Sequence, residues 1–425
     1  MSNIPQERFK GFDDEWIEKS YGDIYNFYST NSLSREKLNY EKGEIYNIHY
    51  GDIHTKFSTT FDIEKEEVPY INSDIDTSRI KDESYCQIGD LIIADASEDY
   101  KDIGKTIEIV NLDSKKLLAG LHTFLARPEK LDIALGFMGY MLQSWKARKQ
   151  IMREAQGTKV LGLSMGRLSK VKLYIPSDKE EQEKIALFLE SIDKKIEQLS
   201  NMDELLNEYK KGAIQKIFNQ EIRFKKDDGS KFANWKSMKF LDLFDNFGGT
   251  SLEKYINKNG KYNIVSIGNY TKDGKYIDNQ QKIDLNEKSK TKLLNKNDLV
   301  MVLNDKTSTG DIIGSSILID EDNKYIYNQR SERLICKKTI NPLFAWHLLN
   351  SNKVRKRVFS LSQGGTQIYV NFPSIKKMEL LIPHIDEQSK IANFLSLIDK
   401  KMENNQNILE QTKEFKKGLL QRMFV

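Results

Sequence analysis

The chain has 425 residues, of which 39% are hydrophobic and 30% charged, and its 66 Lys and Arg against 62 Asp and Glu leave a net charge of +4. That length implies two or three domains rather than one core, and 20 Phe and 19 Tyr supply real cores, which argues against wholesale disorder. No apolar run of 18 residues and no signal-peptide core occurs, and two cysteines with five scattered histidines show no ligand spacing, so a cytoplasmic protein without membrane spans, disulfide framework or metal site is expected.

In chain order, the first half opens with Arg8-Phe9 and Trp16, with Asp23-Ile24 seven residues after the Trp. Short β-type runs bounded by turn residues follow at 68–75, 89–95 and 105–111. A helical pattern near 132–153 leads into a basic window. From Lys146 to Lys172 there are eight basic residues (Lys146, Arg148, Lys149, Arg153, Lys159, Arg167, Lys170, Lys172) and the single acid Glu154, around Gln156-Gly157-Thr158. After Pro176, the residues Ile185, Leu189, Ile192, Ile196, Leu199, Met202, Leu206, Tyr209 and Ala213 step by three or four, which predicts a helix over 179–219, roughly 55–60 Å long. A stripe of about two apolar positions per seven residues is a coiled-coil seam.

The chain then starts again. Arg223-Phe224, Trp235 and Asp242-Leu243 repeat the opening, β-type runs lie at 262–270, 297–305 and 314–320, and a helical pattern spans 342–359. From Ser351 to Met378 there are six basic residues (Lys353, Arg355, Lys356, Arg357, Lys376, Lys377) and no acid, around Gln363-Gly364-Gly365-Thr366-Gln367. A second helix is predicted over 386–425, with Ile391, Leu395, Ile398, Met402, Asn405, Leu409, Thr412, Phe415 and Leu419 on its seam. Residues 181–218 laid over 387–424 give 20 identities in 38 positions, including Glu-Gln at 181–182 and 387–388, Ile-Asp-Lys-Lys at 192–195 and 398–401, and Lys-Lys-Gly at 210–212 and 416–418. Upstream the match continues with a slip in register, so that Ile175-Pro176 answers Ile382-Pro383 and Gly157-Thr158 answers Gly365-Thr366. The repeat implies two α+β domains, 1–178 and 220–385, each with a mostly antiparallel or mixed sheet. If the two stripes bury each other, the helices must run antiparallel, holding the domains at opposite ends of a rod with an approximate twofold axis.

No phosphate loop, dinucleotide fingerprint, zinc-protease motif or nucleophile arrangement is present, so no catalytic residue and no metal ligand is assigned. Asn341-Pro342-Leu343-Phe344 reads as a plain helix start, not the base-holding motif of amino-methyltransferases. The recurring basic windows suit phosphate binding, because clustered cations beside small residues let backbone N–H groups approach an anion. The candidates are Lys146, Arg148, Lys149, Arg153, Gly157, Thr158 and Lys159, and Lys353, Arg355, Lys356, Arg357, Gly364, Gly365 and Thr366.

This pattern resembles the specificity subunits of type I restriction-modification systems, and the resemblance spans essentially the whole chain. Its most specific parts are Pro176 through Asp193, Pro383 through Asp399, and the strand entries Gly89-Asp90 and Asn297-Asp298, where Asn297 stands in place of the more usual glycine. The resemblance implies two similar target-recognition domains separated by two long antiparallel coiled-coil helices, with one half of a bipartite, asymmetric double-stranded DNA site read by each domain. It also implies two methyltransferase subunits and restriction-translocase subunits as partners, with S-adenosylmethionine, ATP and Mg confined to them. Base reading is then expected in loops that differ between the halves: His49, Asp52, His54 and Lys56 with Asp95, Ser97, Glu98 and Lys101, and Asn269, Thr271 and Lys272 with Asn304, Asp305, Lys306, Ser308 and Thr309. The alternatives are a coiled-coil scaffold that does not bind DNA, and a methyltransferase or nuclease with unrecognised motifs.

Overall fold

The structure is a computed structural model that describes residues 3–129 and 132–425. It divides into two compact units: unit 1 runs to Ser200 and includes Asn407–Val425, and unit 2 is Asn201–Gln406. Among the described residues no helix is long and apolar enough to cross a membrane.

Both units are α+β and share one plan. In unit 1 a five-stranded sheet has the order Asn26–Tyr28, Thr123–Arg127, Leu91–Ala94, Thr106–Asn111, Thr60–Asp62, antiparallel except for the last pair. In unit 2 the order Phe244–Gly248, Ser331–Cys336, Leu299–Val302, Ser316–Leu318 is antiparallel throughout, and the fifth strand is missing. A second sheet in each unit contains one parallel pair, Lys116–Ala119 on Ile45–Ile48 and Tyr325–Tyr327 on Tyr262–Val265. Two β-type runs are shorter than their composition suggests. Within 68–75 only Tyr70–Ile71 is a strand, because Asn72 turns the chain by accepting at its carbonyl from the Ile75 N–H. After Val265, Ser266 and Asn269 cap a one-turn helix, Ile267–Asn269, since their side chains offer the backbone a local alternative to the ladder. The helical stretches also break in two, at Ser144 and Ser351, whose hydroxyls cap Trp145–Glu154 and Asn352–Ser360.

The two long helices are Lys179–Phe218 and Ile385–Arg422. The first ends where Gln220 adopts φ +63 and the N–H groups of Gln220 and Glu221 donate to the carbonyls of Ile217 and Lys216, closing the last turn. Each unit contains the start of one helix and the end of the other, running antiparallel. In unit 1, Glu181 and Phe424 both touch Trp16 while Asp193 pairs with Lys416 at 2.6 Å; in unit 2, Phe218 meets Trp235, Arg223 joins Trp235 to Glu387, and Lys210 pairs with Asp399. The core of unit 1 accordingly includes Leu419, Leu420, Met423 and Phe424, and that of unit 2 includes Ile217 and Phe218.

The seam corrects the apolar reading in its second half. Ile185, Leu189, Ile192 and Leu199 are buried, as are Ile391, Leu395, Ile398, Asn405 and Leu409, with Ile196 and Met402 half-buried. Met202 and Tyr209, however, are 42% and 57% exposed, and Phe415 is 51% exposed. The alternation of four and three continues instead through Asp203, Leu206, Lys210, Ala213 and Ile217, and through Thr412, Lys416 and Leu419. Lys210 and Lys416 hold seam positions because each has a carboxylate waiting, Asp399 and Asp193.

The other repeated residues are locks. Glu181 takes Arg8 through both carboxylate oxygens at 2.7 and 2.9 Å, and Glu387 takes Arg223 at the same distances. Gln182 accepts from Ala134 N and donates to the Pro176 carbonyl, while Gln388 accepts from Asn341 N and donates to the Pro383 carbonyl. Each Glu-Gln pair thus ties a helix start to the chain entering and leaving its sheet.

Candidate nucleic-acid interface

Each unit assembles one composite surface from three pieces that lie far apart in sequence. The first is the glycine loop. Gln156 and Gly162 exchange backbone hydrogen bonds at 2.9 and 2.7 Å, as Gln363 and Tyr369 do at 2.8 and 2.9 Å, leaving Thr158 and Lys159, and Gly365 and Thr366, exposed in the intervening turns. Gly157 at φ +127 and Gly364 at φ +102 allow these turns, because a Cβ would fall 2.0 Å from the Val160 carbonyl oxygen and 2.2 Å from that of Gln367. Gly364 is therefore the partner of Gly157, one residue earlier than the sequence match places it, and Gly365 has open space around it.

The second piece is the strand on which the loop docks, Ala96–Ser97 with Leu161–Gly162 in unit 1 and Asn304–Asp305 with Ile368–Tyr369 in unit 2. The third is the turn between two sheet strands, carrying His122 or Arg330, whose carbonyls accept from Asp95 N and Leu303 N at 3.1 and 2.9 Å. In unit 1 an aromatic cluster joins this surface: the Tyr50 ring stands 4.6 Å from His49, 5.6 Å from His54 and 5.3 Å from His122, and His122 Nδ1 lies 3.2 Å from Asp95 Oδ1. Burial pushes the imidazoles of His49 and His54 down and the Asp95 carboxyl up. The Gln-Gly-Thr loop and the 95–101 and 304–309 segments thus come together as their shared position in the repeat implies. Tyr50, His122 and Arg330 carry no individual sequence signal; only the equivalence of the two turns, visible once the strands are known, picks out the last two.

Several candidates are spent on the fold instead. Arg148 donates from Nη2 to the carbonyls of Lys101 and Ile103 at 2.9 and 2.6 Å, and Arg355 donates to those of Ile313, Lys272 and Asp311 at 2.8, 2.9 and 2.8 Å. Burial lowers both guanidinium pKa values, that of Arg355 to about 10. These two residues pin the loop that follows the docking strand and are not free for phosphate. Lys353 donates to the Phe218 carbonyl and Arg357 to that of Glu379. Asp52 is fully buried against Arg35 at 2.8 Å, the Ser97 hydroxyl accepts from Asp99 N, and the Asn269 side chain is buried between Ser266 and the Ile277 carbonyl. Asp305 accepts from Ile312 N and Thr307 N; burial opposes its charge, but these bonds outweigh it and hold the carboxyl below the usual range. Thr271 bonds within its own turn through Lys275, and Lys272 pairs with Asp311 at 2.8 Å.

Exposed and without a side-chain hydrogen bond or ion pair among the described residues are Lys146, Lys149, Arg153 and Lys159 in unit 1, and Lys306, Ser308 and Lys356 in unit 2. Glu98 and Lys101 are also exposed, with Lys101 3.5 Å from Asp99, whereas Lys56 bonds Tyr40 and Thr309 bonds Thr307. Lys356 borders a cavity of about 490 Å³ whose walls include Lys211, Phe218 and Trp346. Among the described residues no group of three His, Cys, Asp or Glu side chains is placed to hold a metal ion.

Two copies of one α+β frame, each presenting a glycine-tipped basic surface with its own set of side chains, define a protein with two reading heads. The chain belongs to the family of the type I restriction modification DNA specificity domain, whose model matches residues 14–208 and 233–414. It is similar to the MjaVIII specificity subunit of a type I restriction enzyme from Methanocaldococcus jannaschii, 28% identical over 295 residues, which is 66% of this chain and 68% of the relative. It is also similar to the putative MjaX specificity subunit of the same organism, 22% identical over 346 residues, 78% of this chain and 77% of the relative. The fold is shared with the crystal structure of the S subunit from M. genitalium, at a TM-score of 0.58 and 14% identity over 99% of both chains. A chain from a structural study of complex assembly and conformational transition of the type I R-M system also shares it, at a TM-score of 0.58 and 11% identity over 98% of both chains.

Proposed function

We propose that this chain is the non-catalytic, sequence-reading subunit of a type I restriction-modification assembly, with each unit reading one half of a bipartite, asymmetric double-stranded DNA site. The observation that carries the reading is that both units build the same three-piece surface from equivalent backbone but arm it differently, with His49, Tyr50, His54 and His122 in one and Lys306, Ser308 and Arg330 in the other. Identical frames with unlike surfaces suit a target whose halves differ in sequence. Lys146, Lys149, Arg153, Lys159 and Lys356 supply the sequence-independent phosphate attraction.

The exposed apolar residues of the long helices support two partner subunits. Met202 and Tyr209 recur, 206 positions on, as Ile408 and Phe415, all between 42% and 57% exposed. Equivalent apolar patches on two repeats offer equivalent docking sites to two copies of one partner, which we assign to methyltransferase subunits. Restriction-translocase subunits complete the assembly, and S-adenosylmethionine, ATP and Mg act in the partners.

The test is to map the motif methylated in DNA by this chain with its methyltransferase subunit. A bipartite motif with two unlike halves is expected; a palindrome, or methylation without sequence preference, overturns the reading.

A further inference from the structure

One position on each reading surface is occupied in a way that the turn itself does not require. The turn from Lys116–Ala119 into Thr123–Arg127 holds His122 at φ +56, and the turn from Tyr325–Tyr327 into Ser331–Cys336 holds Arg330 at φ +66. Their equivalence rests on hydrogen bonds. Asp95 N and Leu303 N donate to these two residues' carbonyls, and the carbonyls of Asp95 and Leu303 in turn accept from Leu163 N and Val370 N, both at 2.8 Å, just beyond the glycine loop. His122 and Arg330 therefore sit beside the strand that receives the loop.

A left-handed backbone favours glycine, and a side chain there is retained against a free-energy cost. The units share one other pair of equivalent turns in which neither left-handed residue is glycine, Ser114 and Asn323, but Ser and Asn are ordinary turn residues whose side chains bond locally. Arginine has no such local reason. Its neighbours hold the backbone already: Asn328 N donates to the Val265 carbonyl and Gly249 N to that of Ser331, both at 2.9 Å, and in unit 1 Gly120 N donates to the Ile48 carbonyl at 2.8 Å. The side chains are left outward. The Arg330 side chain is exposed and makes no hydrogen bond or ion pair among the described residues. The side chain of His122 is 51% exposed, with Nδ1 on Asp95 and the ring edge against Tyr50.

We propose that Arg330 and His122 are specificity-determining residues, one for each half-site, an assignment that rests on the reading of the chain as a DNA-specificity subunit. Arg330 carries a planar fork of donors that matches O6 and N7 of guanine in the major groove. His122, with its Nδ1 proton on the bond to Asp95, presents Nε2 as an acceptor for an exocyclic amino group, that of adenine or cytosine.

Glycine is the substitution that separates reading from folding, because it relieves the left-handed backbone. The full chain carrying Arg330→Gly, assembled with its methyltransferase subunit, should keep its thermal stability. The mapped motif should become degenerate at one G·C pair of one half-site, with the preference for that pair falling roughly 10- to 100-fold, while the other half stays unchanged. His122→Gly should relax one position in the opposite half. If the wild-type assembly methylates a defined motif and Arg330→Gly leaves it intact, the assignment fails and DNA reading stands; a change in both halves overturns the assignment as well. If the wild type shows no motif, the reading of the chain and the assignment fall together.

Discussion

The two units solve the same problem at the start of the helix that follows the sheet, and they use different chemistry. In unit 1, Glu108 lies opposite Leu91 in the sheet and its buried carboxylate accepts from Gly136 N and Gly139 N, both at 2.7 Å, at the head of Phe137–Met141. The equivalent register in unit 2, opposite Leu299, holds Leu318, and the helix Pro342–Leu349 is capped by its own Asn341 at 3.0 Å. A cap borrowed across the sheet carries a buried ionisable group; a cap built into the helix lets that position be apolar. The sheet-entry ion pairs differ in the same spirit. Arg127 meets Asp90 through two nitrogens, at 2.9 and 2.8 Å, and also bonds the carbonyl of Tyr85, whereas Arg333 meets Asp298 through Nη2 at 2.7 Å and its buried Nε has no hydrogen-bond partner. The frame is repeated, but unit 1 satisfies this ion pair more completely.

The largest effect should come from breaking these pairs. Asp90→Ala strands a well-bonded guanidinium in the core of unit 1 and should cost about 3–5 kcal/mol, the usual loss when one partner of a buried pair is removed. Asp298→Ala should cost less, because Arg333 has fewer bonds to lose. Urea unfolding, with hydrogen exchange in Thr123–Arg127 and Ser331–Cys336 to locate the loss, measures both; equal costs would break the comparison.

The cap difference predicts a pH-dependent contribution in unit 1 that the Asn341 cap of unit 2 does not make. Burial outweighs the N–H bonds and pushes the Glu108 carboxyl up to about 7. Folded unit 1 therefore keeps a proton that the unfolded chain has already released. Stability falls as pH rises from the unfolded carboxyl range, near about 4.3, to about 7, by at most about 1.4 kcal/mol per pH unit, and then levels off. Urea midpoints at several pH values should show this slope for unit 1, and Glu108→Gln should flatten it. A slope that survives the substitution assigns the proton elsewhere.

These contrasts also mark what the sequence can carry. Periodicity shows the long helices because only a helix returns an apolar residue to the same side every three or four positions for nearly 40 residues. It misplaces the far half of the seam because counting apolar residues favours Met202 and Tyr209, and an Asp or a paired Lys on the seam is invisible until its partner is known. The repeat shows which residues matter without showing how: Glu181, Asp193 and Lys210 return in both halves because each anchors a contact with a residue far away in sequence. Basic windows are legible as composition, yet composition cannot distinguish a cation facing solvent from one whose donors are taken by carbonyls inside a loop.

That last distinction gives the smallest effect and the sharpest comparison, because Arg148 and Lys149 are neighbours in one unit and Arg355 and Lys356 are their equivalents in the other. Lys149 and Lys356 have no partners among the described residues, so Lys149→Gln and Lys356→Gln should leave stability within about 0.5 kcal/mol of the parent. If they touch phosphate, each should lower the slope of log K against log salt by about 0.9, for all DNA sequences alike. Arg148→Gln and Arg355→Gln remove charged donors from loop carbonyls, each worth about 1.5–3 kcal/mol, so they should destabilise their own unit and relax the loops at 99–104 and 306–314 without that uniform change in slope. DNA titrations at several salt concentrations, run beside urea unfolding of all four variants, separate the roles: a normal salt slope in the lysine variants would return them to solvent, and a stable Arg355→Gln with a reduced slope would return that guanidinium to the DNA.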